Sequence, residues 1–261
     1  MERVGIIGVG RIGGSLAARL AVSGDFELTV SDADEERARR FSQEHQRVRF
    51  ASDNLEAVRS SEMVVVSVKP WDVATVLETI AGELEGKAVV SVAAGVRISA
   101  IAGKLAEGTA VLRVMPNVCA AVGMGSAVVA ANEAGETYLS RVTKMFGYVG
   151  DVMELPEPLF DAATALHGSG PAYVALFADT LVQAGVRAGI PREVARRLVN
   201  GTIEGTAVML KDAAAHQVRD EVTTPGGTTA AALVAMEKAG FVGAIHDGVE
   251  AAAEQSRRLA G

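Results

Sequence analysis

The start of the chain constrains the fold more than any other stretch. Residues 4–8 form an unbroken apolar run bounded by glycine, which is typical of a parallel strand buried on both faces. The run leads into Gly-Val-Gly-Arg-Ile-Gly at residues 8–13, and apolar residues at helical spacing follow. Between a strand and a helix, Gly8, Gly10 and Gly13 allow a tight turn, close approach of a pyrophosphate and close helix packing. The pattern predicts a dinucleotide-binding βαβ unit.

The second predicted strand indicates which dinucleotide is preferred. It covers residues 26–31 and ends in Asp32, about twenty residues after the glycine turn, where an acid accepts hydrogen bonds from ribose hydroxyls. A carboxylate there repels the 2′-phosphate of NADPH, so NADH is favoured over NADPH. Arg37, Arg39 and Arg40 can offset part of this repulsion, but their spacing from the acids at residues 34–36 favours a solvated helix face.

The same strand–helix alternation continues through the first half of the chain. Residues 63–68, 88–92 and 110–115 are predicted strands, and a helix near 136–147 with a short strand near 150–154 completes the sheet. Ligands of such sheets bind beyond the carboxyl ends of the strands. The residues at these ends that are expected to face one crevice are Lys69, Ala94, Gly95, Pro116 and Asn117.

The second half is predicted to be all helical. The periodicity changes at Pro156, so the sequence divides into a Rossmann-type doubly wound α/β domain, residues 1–155, and a helical domain, residues 156–261. Predicted helices cover residues 172–188, 191–212, 228–238 and 242–258. The first is apolar around most of its circumference, apart from a stripe formed by Asp179, Gln183 and Arg187. Because such a helix must be covered on several sides, the helical domain is expected to form a homodimer.

A loop before the third of these helices has the features of a small-anion site. Its sequence, Thr-Pro-Gly-Gly-Thr-Thr at residues 224–229, predicts an extended residue before proline and then a tight glycine turn. Thr228 or Thr229 is predicted to cap the Ala-rich helix that follows. The unpaired N–H groups at such a helix start suit a carboxylate, although a well-capped helix with no ligand explains the same residues.

Composition excludes several other classes of protein. The net charge of −7, without a basic run, argues against nucleic-acid binding. The single cysteine, Cys119, cannot form an intrachain disulfide, which favours the reducing cytoplasm. The four histidines are scattered and predict no metal site, and no apolar stretch long enough to span a membrane is free of charge. A soluble protein without a signal segment is expected.

Five motifs together resemble those of the pyrroline-5-carboxylate reductase family, which reduces a cyclic imine to L-proline with NADH or NADPH. They occur in the family's order and cover both halves of the chain. The motifs are Gly-Val-Gly-Arg-Ile-Gly at 8–13, Ser-Val-Lys-Pro at 67–70, Arg-Val-Met-Pro-Asn at 113–117, Gly-Ser-Gly-Pro-Ala-Tyr at 168–173, and Asp-Glu-Val-Thr-Thr-Pro-Gly-Gly-Thr-Thr at 220–229.

The resemblance implies roles for individual residues. The nicotinamide would lie near Pro116 and Asn117, and Gly226, Gly227 and Thr228 would hold the substrate carboxylate. Thr229 is the candidate catalytic residue, since its hydroxyl would bind the carboxylate and the ring nitrogen, while Glu221 and Asp212 would lie near the pocket or brace the loop. The remaining implied cofactor contacts are Gly8, Gly10, Arg11, Ile12, Gly13, Asn54, Val68, Lys69, Pro70, Ala94 and Gly95. The family's helical half forms interwoven dimers, and rings of dimers are common in it.

Two departures from the family pattern bear on the substrate. Val118-Cys119 replaces the usual Thr-Pro pair after Asn117, which removes a hydroxyl near the nicotinamide. His167 replaces the usual serine before the glycine break, which introduces a titratable group for which a structural role is favoured. Both leave the identity of the imine open.

Three functions are compatible with these observations. The favoured one is reduction of 1-pyrroline-5-carboxylate, an electrophilic imine whose reduction needs orientation and exclusion of water more than a strong general acid. The alternatives are a reductase of another small cyclic imine or a β-hydroxyacid dehydrogenase of the same architecture, and a dinucleotide sensor without turnover. The intact loop ending in Thr229 argues against the sensor, which has no need of a substrate-anion site.

Overall fold

The computed structural model describes residues 1–260, of which the first part is built on one eight-stranded sheet. Its strand order is β3-β2-β1-β4-β5-β6-β7-β8. The strands are β1 (Glu2–Ile7), β2 (Phe26–Ser31), β3 (Val48–Phe50), β4 (Met63–Val66), β5 (Ala88–Ser91), β6 (Ala110–Pro116), β7 (Gly125–Ala131) and β8 (Gly150–Glu154).

The sheet is parallel from β3 to β6, after which β7 runs antiparallel to β6 and β8 parallel to β7. The chain leaves β1 in one direction to form β2 and β3, and crosses to the other side to form β4. The strand order therefore reverses between β1 and β4, and a crevice opens at that point beyond their carboxyl ends. The predicted Rossmann-type α/β fold, followed by a helical part, is confirmed.

Helices cover both faces of the sheet. Alternate residues of β4 pack into two different cores: Met63 and Val65 into one, Val64 and Val66 into the other. This burial on both faces explains why the central strands are continuous apolar runs. The helices of this part are α1 (Arg11–Ser23), α2 (Glu35–Glu44), α3 (Asn54–Arg59), α4 (Val73–Ile80), α5 (Ile98–Ala102), α6 (Leu139–Gly147) and α7 (Phe160–Ala163), followed by a π-helical turn at Thr164–Gly168.

The second part consists of helices alone. They are α8 (Gly170–Arg187), α9 (Arg192–Met209), α10 (Ala215–Glu221), α11 (Thr228–Lys238) and α12 (Phe241–Ala260). Their side chains are largely exposed: on α8 only Val182 is buried, whereas Leu176 on the same helix is 69% exposed. An apolar groove in this part is lined by Tyr173, Leu176, Phe177, Phe241 and Ile245 among others.

Several elements differ from the sequence predictions. Strand β3 and helices α3 and α5 were not predicted, because three to six residues are too few to show a period. Helix α10 was not predicted either, and at its start the Gln217 side chain accepts a hydrogen bond from the Ala214 N–H at 3.0 Å. Pro191 precedes α9 as its N-cap residue and does not lie in the first turn.

The described chain separates into two compact units: residues 1–169 with 252–260, and residues 170–251. The sequence prediction places the division between residues 155 and 156. In the structure the segment up to residue 169 stays with the sheet, as does the end of α12, where Ser256 donates a hydrogen bond to Asp161 at 2.6 Å.

Within the described residues, no single helix has both the length and the apolar composition needed to cross a membrane. One pair of helices, Thr228–Lys238 with Phe241–Leu259, meets that test only when taken together across a bend of 53°.

Candidate active site

Of the three glycines of the first turn, Gly8 and Gly13 are each required by a different contact, whereas Gly10 faces open space. Gly8 has a φ of 95°, and a Cβ there would lie 2.4 Å from the Ser67 carbonyl oxygen. A Cβ on Gly13 would lie 2.0 Å from the Gly8 carbonyl oxygen, so no side chain fits between α1 and the turn. Gly10 is the N-cap residue of α1, and no atom lies within 4 Å of its missing Cβ. The turn therefore closes tightly and leaves an open approach to the start of α1.

The open space beside Gly10 is part of a cleft of about 350 Å³ at the carboxyl ends of β1, β2 and β4. Six residues of the glycine turn and the β4 end that were expected to contact a cofactor line it, together with Asp32. The predicted residues that line the cleft are Gly8, Gly10, Arg11, Ile12, Asp32, Val68 and Lys69. The other lining residues are Ala33, Arg37, Ser67, Asp72 and Val92.

Asp32 is held by an extensive set of hydrogen bonds. Its side chain is only 8% exposed and accepts from the Val9 N–H at 2.9 Å and from the Asp34 N–H at 3.0 Å. Arg37 Nη1 lies 3.3 Å from Asp32 Oδ1, and Arg37 Nη2 lies 3.1 Å from Asp34. These contacts fix the carboxylate at the edge of the cleft with a guanidinium directly beside it.

The position of Arg37 corrects the sequence interpretation. Arg39 does pair with Glu35 at 2.6 Å on the outer face of α2, as a solvated helix face requires. Arg37 instead turns towards the end of β2 and lines the cleft. The capping of α2 by Asp34, which accepts from the Arg37 N–H at 3.0 Å, sets this direction, and residue spacing alone did not indicate it.

Other predicted cofactor residues lie near strand ends but outside the lining of this cleft. Asn54 begins α3, and its Oδ1 accepts from the Ser31 hydroxyl at 2.8 Å. Pro70 begins the short 3₁₀ turn after Lys69. Ala94 and Gly95 follow β5, where Gly95 has a φ of 77°. Gly13 packs α1 against the turn and faces Ser67.

Asn117 acts mainly as a brace at the end of β6. Its Oδ1 accepts from the N–H groups of Cys119 and Ser126, each at 3.2 Å, and its Nδ2 donates to the His167 carbonyl oxygen at 3.1 Å. The side chain is 9% exposed. Pro116 precedes it as the last residue of β6, so the position of Pro116 depends on this brace.

The predicted substrate loop lies in the second unit and is described within it. Gly226 has a φ of 69° after Pro225, and the Gly227 N–H donates to the Thr224 carbonyl at 3.0 Å, which closes the expected turn. Gly227 is the N-cap residue of α11, so the predicted capping by Thr228 or Thr229 is wrong. Both threonines instead lie in the first turn of the helix.

The start of α11 has the groups that bind an anion. Among the described residues, the N–H groups of Thr228 and Thr229 have no hydrogen-bond acceptor, as expected for the first turn of a helix. With the cap position taken by glycine, both hydroxyls remain available to a ligand. Asp212 follows α9 and Glu221 ends α10, and within the described chain neither carboxylate makes a hydrogen bond to this loop.

Sequence reasoning missed five residues of the cleft lining, of which Val92 ends the predicted strand at residues 88–92. Ser67 and Asp72 flank the predicted Val68-Lys69-Pro70 stretch, so the motif itself carried a signal for them. Ala33 follows Asp32 directly, and Arg37 was seen but placed on the wrong face of its helix.

Comparisons with known proteins agree over the whole chain. Residues 157–259 match the family described as pyrroline-5-carboxylate reductase dimerisation, and residues 3–95 match that described as NADP oxidoreductase, coenzyme F420-dependent. Pyrroline-5-carboxylate reductase of Synechocystis sp. is 40% identical over 98% of both chains.

Two solved structures extend this similarity to the fold. Pyrroline carboxylate reductase of Plasmodium falciparum, with NADP bound, has a TM-score of 0.86 and 31% identity, covering 100% of this chain and 98% of that one. Pyrroline-5-carboxylate reductase of Coxiella burnetii has a TM-score of 0.94 and 27% identity, with coverage of 100% and 98%.

Proposed function

The chain belongs to the pyrroline-5-carboxylate reductase family, and on that premise we propose that it reduces 1-pyrroline-5-carboxylate to L-proline with NADH or NADPH. The observation that carries this proposal is the 40% identity to a reductase of that name over 98% of both chains. The protein is thus an oxidoreductase that acts on a C=N bond. The cleft and the loop at the start of α11 supply the groups that this reaction needs.

The residues of the cleft fit a nicotinamide dinucleotide. The open space beside Gly10 at the start of α1 suits a pyrophosphate, since helix N-termini present free N–H groups and positive dipole ends. Asp32 is positioned for ribose hydroxyls, and Lys69 adds a positive charge to the cleft. When bound, the reduced nicotinamide supplies the hydride that adds to the imine carbon.

The loop at residues 226–229 supplies substrate orientation. We assign the carboxylate of the substrate to the N–H groups and hydroxyls of Thr228 and Thr229, which the first turn of α11 leaves without partners. The Thr229 hydroxyl is assigned to the ring nitrogen. A protonated imine already attracts hydride, so these residues contribute mainly by fixing its orientation. Glu221 and Asp212 are assigned supporting positions near this loop.

The activity is tested by following cofactor oxidation with 1-pyrroline-5-carboxylate as substrate. Oxidation of NADH or NADPH that depends on the imine and yields L-proline is the expected result. The same assay with a six-membered cyclic imine, and in reverse with β-hydroxyacids, separates the alternative enzymes. Cofactor binding without turnover of any of these would point to a dinucleotide sensor and contradict the proposal.

The preference for NADH over NADPH is a separate proposal. Asp32 supports NADH because its carboxylate is fixed at the edge of the cleft, where we assign the ribose hydroxyls. Arg37, 3.3 Å from that carboxylate, supplies a charge that attracts a 2′-phosphate, and a relative is solved with NADP bound. The fixed carboxylate favours NADH as long as Arg37 remains paired with it.

Asp32→Ser is expected to shift the ratio of kcat/KM for NADH over NADPH towards NADPH by about tenfold or more, equivalent to at least about 1.4 kcal/mol. The substitution removes the repelling carboxylate and frees Arg37 for the 2′-phosphate. Adding Arg37→Ala should reverse most of the gain. Arg39→Ala, which removes the pair with Glu35 and the contact over the Phe50 ring outside the cleft lining, is the matched control. An unchanged ratio in Asp32→Ser would show that other residues set the preference.

We propose that the helical unit forms a homodimer, and that dimers can assemble further into a ring. The proposal is supported by the match of residues 157–259 to a dimerisation family and by the exposed apolar groove between α8 and α12. Leu176, Phe177 and Ile245 line this groove. Apolar patches of this kind on a single chain mark association surfaces.

Leu176→Asp is expected to raise the dimer dissociation constant about a hundredfold, because the interface would bury an unpaired carboxylate. The side chain is 69% exposed in the single chain, so the unit itself should still fold. Sedimentation or light scattering across a dilution series measures the effect. Val22→Asp on α1, at an apolar residue that is 84% exposed, is the matched control. An unchanged mass for Leu176→Asp would exclude this groove from the interface.

We place the enzyme in the cytoplasm on the basis of its composition. Its single cysteine, Cys119, cannot form an intrachain disulfide, and a dinucleotide-dependent reductase draws on an intracellular pool of reduced cofactor. The partners proposed are therefore the imine, the cofactor and further copies of the chain. The net charge of −7 gives no support to nucleic acid as a partner.

A further inference from the structure

His167 lies in the π-helical turn that precedes α8, and both of its ring nitrogens face carbonyl oxygens. Nδ1 is 2.5 Å from the carbonyl oxygen of Ala163, one turn earlier. Nε2 is 2.9 Å from the carbonyl oxygen of Met115, near the end of β6. The ring is half-buried, so it connects two segments that are far apart in sequence.

Two carbonyl acceptors require two N–H donors. A neutral imidazole carries one N–H, and its other nitrogen presents a lone pair, which a carbonyl oxygen at 2.9 Å would repel. The doubly protonated ring donates at both nitrogens and satisfies both contacts. Hydrogen bonds from a charged donor are also stronger than those between neutral groups.

The backbone of His167 makes a third connection to the same segment. Its carbonyl oxygen accepts from Asn117 Nδ2 at 3.1 Å. The end of β6 is therefore tied to the π-helical turn on both sides of Pro116: at Met115 through the ring and at Asn117 through the backbone. Single-turn π-helical segments inside helices occur frequently at functional sites.

Charged groups on the elements packed against this turn make contacts of their own, although Arg113 Nε and Nη2 are buried without a hydrogen-bond partner. On β6, Arg113 donates to Glu157 at 3.1 Å and lies over the Phe160 ring. On α7, Asp161 accepts from Ser256 at 2.6 Å. Among the described residues, the His167 ring donates no hydrogen bond to a carboxylate, so its hydrogen-bond partners are the two carbonyl oxygens.

We infer that His167 is a positioning residue whose doubly protonated ring ties the end of β6 to the π-helical turn and so fixes Pro116 and Asn117. The inference rests on the proposed function and on the family resemblance, which implies that the nicotinamide lies near these two residues. Hydride transfer is sensitive to displacement of the reacting atoms by even an ångström. A loosened β6 end should therefore lower kcat more than it lowers cofactor affinity.

The protonation of the ring is tested directly on the wild-type protein. A long-range ¹H–¹⁵N correlation spectrum of protein labelled at histidine, assigned by comparison with His167→Gln, shows which ring nitrogens carry hydrogen. We expect hydrogen on both nitrogens of His167, because each of them faces a carbonyl oxygen. A single N–H with a bare second nitrogen would overturn the inference, whether or not the protein turns over the imine.

Two substitutions separate the two contacts. The amide of His167→Gln can replace Nε2 and keep the bond to Met115, whereas that of His167→Asn can replace only Nδ1 and keep the bond to Ala163. We expect kcat with 1-pyrroline-5-carboxylate to fall about tenfold in the Asn variant and about threefold in the Gln variant, with cofactor Kd changed less than about twofold.

The control is His45→Gln, since His45 makes a similar contact to the Phe41 carbonyl one turn earlier but lies outside the cleft lining. Equal kcat values in both His167 variants, or a larger loss in Gln than in Asn, would contradict the positioning role. A wild-type protein without imine turnover would instead reject the proposed function, and the ring spectrum would still decide the protonation.

Discussion

Gly13→Ala is expected to abolish measurable cofactor binding and to lower the melting temperature, whereas Gly10→Ala should weaken binding alone. A Cβ at Gly13 would lie 2.0 Å from the Gly8 carbonyl oxygen and 2.8 Å from Ser67 Oγ, so α1 must move away from the glycine turn. Overpacking of this kind costs about 1–3 kcal/mol of folding free energy. The displaced turn can no longer present its N–H groups to a pyrophosphate.

The Gly10 variant separates the effect on cofactor binding from the effect on folding stability. No protein atom lies within 4 Å of its added Cβ, and the residue has an ordinary φ of −70°. We expect an unchanged melting temperature and a dissociation constant for the reduced cofactor at least about tenfold higher, because the methyl group occupies the approach to the start of α1. Calorimetric titration and thermal melts measure both quantities.

Gly82→Ala is the matched control for both variants, since nothing lies within 4 Å of its Cβ and it is outside the cleft. It should leave binding unchanged. Wild-type cofactor affinity in Gly10→Ala would place the pyrophosphate somewhere other than the start of α1.

Thr229→Ala is expected to lower kcat with 1-pyrroline-5-carboxylate about tenfold or more while leaving the cofactor dissociation constant nearly unchanged. The loss of one hydrogen bond to a charged reacting group is worth about 1.5–3 kcal/mol. The backbone N–H groups at the start of α11 remain, so part of the carboxylate binding should survive. Steady-state kinetics at saturating cofactor measure the change.

Two further threonine variants are the controls for Thr229→Ala. Thr229→Ser keeps the hydroxyl and should retain most of the activity. Thr202→Ala removes a hydroxyl of α9 that donates to the Leu198 carbonyl at 2.9 Å, and it should have little effect. Unchanged turnover in Thr229→Ala would remove this residue from the reaction and leave the loop as an ordinary helix start.

The sequence predicted the sheet well because its strands carry their own signals. Residues 63–68 and 88–92 are apolar at every position except Ser67 and Ser91, and in the structure β4 and β5 are buried on both faces. The glycine motif likewise predicted a turn whose contacts admit no side chain at Gly8 or Gly13. In both cases the residues that form the element also carry the pattern from which the element is predicted.

The features that were missed depend on contacts between distant residues. Arg37 lies in the cleft because Asp34 caps α2 and Asp32 ends β2, and no periodicity indicates that geometry. The brace from Asn117 to His167 joins residues fifty positions apart. The loss of the predicted threonine cap at α11 follows from the turn that Gly227 closes with Thr224. Such contacts are set by packing and become visible only in the folded chain.

The central claim is that the protein transfers a hydride from the nicotinamide to the imine. Isotope transfer tests this claim most directly. The protein is incubated with 1-pyrroline-5-carboxylate and NADH carrying deuterium at C4 of the nicotinamide, and the proline formed is analysed by mass spectrometry and NMR. Direct hydride transfer predicts one deuterium per proline, on the ring carbon that was the imine carbon. Proline without deuterium from either C4-labelled face, or no proline while the cofactor still binds, would contradict the assignment as an imine reductase.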